Sequence, residues 1–180
     1  LNKPRGVVTT TSDEKGRKTV LDLLEDIDQR VYPVGRLDYD TTGALLLTND
    51  GTIANQLMHP KSRVDKIYLA KVSGIATVEK LAPLKQGVII KGRKTAPARV
   101  TIERVDKDKK TSMVRIIIHE GRNHQVKDML QKVGLPVDKL TREQYAFFDL
   151  IGLQSGEYRK LTGVEVKRLK AQDYKNYRRK

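Results

Sequence analysis

The sequence predicts an α+β fold: a mixed, mostly antiparallel sheet flanked by helices. Segments with strand character outnumber helical ones, and the helices are scattered among the strands instead of alternating with them. Turn signals between apolar runs, such as Lys107-Asp108-Lys109-Lys110 and Ser155-Gly156, mark hairpins. A chain of 180 residues, 38% hydrophobic, is long enough to bury a sizeable core as one domain or two small lobes. Lys61-Ser62-Arg63 is the expected seam, giving approximate lobes 1–62 and 63–180 of a single domain.

The elements follow in order. Pro4-Arg5-Gly6 turns into a strand at Val7-Val8-Thr9-Thr10. Thr19 caps a helix with Val20, Leu23, Leu24 and Ile27 at helical spacing. Val31–Val34 is a short edge strand, because it contains Pro33. Ala44–Thr48 is a continuous apolar strand buried on both faces, and Ile53–Met58 a short helix stopped at His59-Pro60. Lys66–Ser73, Val88–Ile90, Ala98–Val105 and Met113–Ile118 read as strands, and 77–85 as a helix capped by Thr77. A helix from His124 to Val133 buries Val126, Met129, Leu130 and Val133, and Gly134 with Pro136 ends it. Tyr145–Ile151 and Tyr158–Leu161 complete the strands, and Thr162-Gly163-Val164-Glu165 opens a last basic helix with a capping box.

Composition narrows the function. Lys and Arg number 36 against 22 Asp and Glu, a net charge of +14, so the expected partner is a polyanion, nucleic acid first. Affinity would rest on phosphate contacts and fall with salt. The absence of cysteine excludes disulfides, thiolate zinc sites and thiol nucleophiles. His59, His119 and His124 lack metal-ligand spacing, and no apolar run approaches the ~18 residues of a membrane span. The expectation is a cytoplasmic protein without metal, cofactor or membrane. No long apolar surface stripe argues for an oligomer, so a monomer is expected. The chain opens at Leu1 without an initiator Met, so a preceding segment is expected to be missing.

Three places could carry chemistry. Gly35 to Gly43 brackets a polar loop with Arg36, Asp38 and Asp40 between two strands; it reads either as a catalytic loop or as ordinary turn chemistry. Gly121 to Lys127 opens a helix where Arg122 and Asn123 can meet phosphate, or it is a solvated helix face. Tyr68 is either half-buried core or a ring on which a flipped base stacks.

At these residues the sequence resembles the RNA pseudouridine synthases, in the ribosomal RNA branch of the RsuA/RluB type. Gly35-Arg36-Leu37-Asp38, Asp40-Thr41-Thr42-Gly43 and Thr48-Asn49-Asp50-Gly51 carry the resemblance. So do Leu1-Asn2-Lys3-Pro4-Arg5-Gly6-Val7, Lys66-Ile67-Tyr68, Glu120 through Lys127 and Gly156 through Thr162, all in order. The resemblance implies the pseudouridine synthase fold with a central RNA-binding cleft, and an N-terminal RNA-binding domain of the S4 type absent from this chain. It implies Asp38 as the catalytic carboxylate, Tyr68 stacked on the uracil, and Lys127 as the cation beside Asp38. It further implies Leu161 against the uracil pocket, with Arg36, Arg122, Asn123, His124 and Gln125 holding RNA. Val31-Tyr32-Pro33-Val34 resembles the large-subunit (23S) branch. The basic tail Lys167–Lys180 is either an RNA clamp or a solvated helix end. The expected partner is thus ribosomal RNA; the alternative is a non-catalytic ribosomal RNA-binding protein. A metal nuclease using Asp38, Asp40 and Asp50 is disfavoured, because a strand of about five residues at ~3.3 Å each separates Asp50 from the loop.

Overall fold

The computed structural model describes residues 1–175; the last five residues of the basic tail lie outside it. The chain forms two compact units, Leu1–Asp65 with Glu143–Lys180, and Lys66–Arg142. The first crossing falls beside the expected seam, and the described residues from Glu143 on belong with the N-terminal residues rather than with the second lobe.

In the first unit, β1 (Asn2–Lys3), β2 (Tyr32–Pro33), β3 (Thr42–Ala44) and β4 (Leu47–Thr48) precede α1 (Gly51–Met58). β1 pairs antiparallel with β3, and β2 with β4. The expected single strand at 44–48 is therefore two, because the chain changes partner between them: the Leu45 N–H donates to Leu1 O, whereas Leu46 O accepts from the Val34 N–H. The helix expected after Thr19 is a 3-10 turn, Val20–Leu23. Only Val20 and Leu24 of its predicted stripe are buried, which is too little apolar area to fix a longer helix.

α1 starts where Asp50 accepts the Thr52 and Ile53 N–H groups at 3.0 and 3.1 Å. Its buried face, Ile53, Ala54 and Leu57, joins Val34, Ala44, Val64, Tyr145, Phe148 and Leu169 in one apolar cluster.

The second unit holds β5 (Lys66–Ser73), α2 (Val78–Leu81), β6 (Ile89–Ile90), β7 (Arg93–Lys94), β8 (Arg99–Asp106), β9 (Thr111–Ile118) and α3 (Gln125–Lys132). β10 (Val137–Tyr145) starts here and ends in the first unit. β5 and β8 flank β9 antiparallel, with Tyr68 opposite Ile116. Burial alternates along β9, as expected of a strand with one face turned to a core. α3 buries Val126, Met129 and Leu130 as predicted, and Thr77 caps α2 by accepting the Lys80 N–H. Pro83 sits where α2 would continue, so the expected helix over 77–85 finishes as a 3-10 turn at Ala82–Lys85.

β10 was not foreseen. Asp138, Lys139, Arg142 and Glu143 hide its alternation, and one buried position is itself Arg142. The strand expected at 145–151 is reduced to the end of β10 and β11 (Phe148–Asp149), and Tyr158–Leu161 forms none. Instead Arg159 is drawn to Glu165 in the capping box of α4 (Gly163–Lys170).

Candidate active site

Asp38 stands on a loop of the first unit whose backbone is pinned from below by residues 3 to 9. Leu37, just before it, is held at both backbone groups by one hydroxyl: Thr9 Oγ1 donates to Leu37 O at 2.8 Å and accepts from the Leu37 N–H at 3.3 Å. Both residues are buried. On the other side the Gly6 N–H donates to Tyr39 O at 2.9 Å. Lys3 has no exposed surface; its ammonium donates to Thr41 O at 2.8 Å, to Tyr39 O at 3.4 Å and to Pro4 O at 3.0 Å. The Thr41 N–H closes the loop onto Asp38 O at 3.1 Å.

A carboxylate on a loop tied this way is pre-positioned, which is what catalysis requires of its reacting group. Gly35 enters the loop at φ +73°, a conformation that costs glycine nothing. Asp38 itself is half-buried, and Arg36, Tyr39 and Asp40 are exposed.

The second unit carries the other expected residues. Tyr68 lies on the buried face of β5, 9% exposed. His124, exposed, takes a left-handed conformation at the N-terminus of α3, and Asn123 beside it is also exposed. Lys127 is half-buried on the first turn.

Gln125 and Arg122, expected at RNA, are engaged inside the unit. Gln125 is 3% exposed; its amide nitrogen donates to Glu120 Oε2 at 2.6 Å and its oxygen accepts the Arg122 N–H at 3.1 Å. Glu120 Oε2 also accepts the Ala96 N–H at 3.1 Å. The Arg122 guanidinium donates to Ile90 O at 2.7 Å and to Arg93 O at 3.2 Å.

Leu161, in the first unit, packs against its apolar cluster. It lines a cavity of about 210 Å³ with Val34, Leu46, Ile53, Leu57 and Leu169. Asp50 is spent on capping α1, and no group of three metal-ligating side chains occurs among the described residues. Sequence reasoning gave no role to Lys3 and Thr9. The available signal was an ammonium on a β-strand that enters the core, a position where a charge survives only with partners.

The RNA pseudouridylate synthase family model matches residues 1–132. The chain belongs to the RNA pseudouridylate synthase family. Its members are isomerases, and the α+β class read from the sequence agrees with it. The chain is 54% identical over 171 residues to the ribosomal large subunit pseudouridine synthase B of Bacillus subtilis, covering 95% of this chain and 70% of that protein. It is 40% identical over 170 residues to an uncharacterized RNA pseudouridine synthase of Aquifex aeolicus, covering 94% and 68%. A crystal structure of a pseudouridylate synthase matches with a TM-score of 0.81 at 32% identity, over 94% of this chain and 71% of that one.

Proposed function

We propose that this chain isomerises a uridine of large-subunit ribosomal RNA to pseudouridine, with Asp38 as the catalytic carboxylate. The observation that carries the proposal is a carboxylate on a loop clamped by Lys3, Gly6 and Thr9, in a chain 54% identical to a large-subunit rRNA synthase. The reaction breaks the N1–C1′ bond, turns the uracil and forms a C5–C1′ bond; the C5 proton passes to solvent and N1 takes up one proton. Atoms balance within the nucleotide, so no redox partner, nucleotide triphosphate or metal is required. Asp38 acts either as nucleophile or as base; covalent attachment would split one hard step into two.

The uridine must leave its stack before either bond is reachable. Tyr68 then stacks on the freed base, Lys127 supplies the cation of the catalytic set, and Leu161 packs against the uracil. Asp38 and Leu161 belong to the first unit and Tyr68 and Lys127 to the second. Arg36, Asn123 and His124 meet RNA directly, whereas Arg122 and Gln125 hold the segment that presents the other two. The net charge of +14 supports RNA as partner. A monomeric enzyme in the cytoplasm is part of this proposal. No helix among the described residues is long and apolar enough to cross a membrane.

The test is tritium release from 5-³H-uridine-labelled large-subunit ribosomal RNA in EDTA, comparing the parent with Asp38→Asn. Release by the parent alone is expected. Release by both moves the catalytic group elsewhere, and release by neither, also with an S4-type domain fused ahead of Leu1, removes the catalytic reading in favour of RNA binding alone.

A further inference from the structure

One carboxylate ties down the chain on both sides of Leu161. The Arg159 guanidinium donates to Glu165 as a fork, Nη1 to Oε1 at 2.8 Å and Nη2 to Oε2 at 2.7 Å. Glu165 Oε1 also accepts the Thr162 N–H at 2.9 Å, and the Glu165 N–H donates to Thr162 Oγ1 at 3.2 Å. Residues 159 and 162 are thus bound to the first turn of α4, with only Lys160 and Leu161 between them. A charge-assisted fork fixes orientation as well as distance. It persists at any working pH, because Arg159 holds the Glu165 carboxyl down at about 2.

Leu161 depends on this tie for two reasons. Neither of its backbone groups makes a hydrogen bond among the described residues. Its side chain borders the cavity of about 210 Å³, so on that side no protein atom wedges it in place.

The chain leading to Leu161 is in turn fixed to the loop that carries Asp38. The Asn2 N–H donates to Glu157 O at 2.8 Å, and Asn2 O accepts the Gly156 N–H at 2.8 Å. Asn2 Nδ2 donates to Leu153 O at 3.0 Å. The next residue is Lys3, whose ammonium holds Thr41 O and Tyr39 O beside Asp38. Within the first unit, β1 therefore fastens both the Asp38 loop and the start of the segment that ends at Leu161, and Glu165 closes the far end.

We propose that Arg159 and Glu165 are positioning residues of the active site: their ion pair sets Leu161 against the uracil and does not itself meet the substrate. The inference rests on the reading of Leu161 as the residue that packs on the uracil. Its effect falls in the middle of the reaction. Once the N1–C1′ bond is broken, the base is no longer attached to the ribose and must present C5 to C1′. A wall displaced by a fraction of an ångström lets the ring tilt, which costs rate. Affinity, which rests on phosphate contacts, is untouched.

The experiment measures kcat and KM for tritium release from large-subunit ribosomal RNA, with filter-binding Kd and Tm for each variant. Glu165→Gln keeps an acceptor for the Thr162 N–H and removes the fork; Arg159→Met removes the fork from the other side. Each is expected to lower kcat about tenfold and Tm by about 2–4 °C, with KM and Kd within twofold of the parent. Arg159→Lys should recover only part of kcat, because one ammonium replaces a fork. Leu161→Ala should lower kcat at least tenfold. Adding Glu165→Gln to Leu161→Ala should cost less than a further twofold in kcat, while the two losses in Tm add. Asp173→Asn breaks the 2.9 Å pair with Arg168 at the other end of α4 and should leave kcat within twofold.

Multiplied kcat losses in the double variant would make the pair general support for α4 and overturn the positioning role. A tenfold fall in Asp173→Asn would do the same. A raised Kd with a shallower salt dependence in Arg159→Met, absent from Glu165→Gln, would make Arg159 an RNA ligand and overturn the proposal. Leu161→Ala with the parent's kcat overturns the reading of Leu161 and this inference with it. Reduced kcat in Leu161→Ala beside the parent's kcat in Glu165→Gln overturns the clamp alone. A parent that releases no tritium overturns the inference together with the catalytic reading.

Discussion

Replacing Lys3 by Met tests whether the loop that carries Asp38 is held by a buried charge. The two side chains have similar length, so the substitution removes the ammonium and leaves the stem's packing. Two large terms oppose each other. The ammonium has no exposed surface, and taking it out of water costs several kcal/mol that Met does not incur. Against that stand its charge-assisted bonds to Thr41 O at 2.8 Å and Pro4 O at 3.0 Å, worth ~1.5–3 kcal/mol each. Tyr39 O is not orphaned by the change, because it keeps the Gly6 N–H. The terms nearly cancel, and the expected loss is ~1–2 kcal/mol, a fall of about 2–8 °C in Tm. Function should respond far more. With Thr41 O released, the loop can shift by a fraction of an ångström to an ångström, and kcat for tritium release is expected to fall 10- to 100-fold. Kd for RNA should stay within twofold, since a side chain without exposed surface meets no phosphate. A folded Lys3→Met protein with the parent's kcat would refute the clamp. A loss above ~4 kcal/mol would also count against it, because the residue would then be general core support and not a loop tether.

Thr9→Val leaves both backbone groups of Leu37 unpaired in a buried site, so urea unfolding should show a loss of ~2–4 kcal/mol together with reduced kcat. Glu165→Gln reports on pH. Arg159 holds the Glu165 carboxyl down at about 2, below its ordinary 4.5, so its stabilisation is full above about pH 4.5 and fades as pH falls towards 2. The variant should be less stable by ~1 kcal/mol at pH 7, a modest figure because Arg159 is partly exposed, and the gap in Tm should shrink by pH 3; a constant gap would refute the pairing. Asp50→Ala should cost ~1 kcal/mol through the lost α1 cap and leave tritium release near the parent's; a large fall in activity would give Asp50 a chemical role.

What could be read from the sequence followed from local pattern. Lys66–Ser73 and α3 were found because their apolar periods are regular, and Thr162-Gly163-Val164-Glu165 because a capping box is a local hydrogen-bond device. What escaped depended on distant partners. The split of 44–48 into β3 and β4 comes from a change of neighbour at Leu45 and Leu46 that no window of sequence contains. β10 escaped because Arg142 occupies one of its buried positions, so the alternation that marks a strand is broken where a charge is accommodated. The glycine-bracketed loop stands out by pattern and Asp38 within it by the family resemblance, but the side chains that tie the loop down were not visible. Lys3 and Thr9 hold it by bonding to backbone groups 38 and 28 residues away, and any residue type can supply those.

The same distinction decides how the motif residues divide. Motifs mark which side chains occur together, and they do not say whether a side chain faces the substrate or the protein. Arg122 and Gln125 lie within three residues of Asn123 and His124, yet the first pair is turned to β6 and to Glu120 while the second pair is exposed. His124 takes a left-handed conformation just before α3; Gln125, the next residue, is buried, while Asn123 and His124 are exposed. A Gln125→Leu variant makes that argument concrete. It keeps volume but strips the partner from Glu120 and from the Arg122 N–H, leaving a carboxylate and an amide short of bonds, and should cost ~2–3 kcal/mol. If Gln125 instead faced RNA, the fold would keep its stability and only Kd would rise.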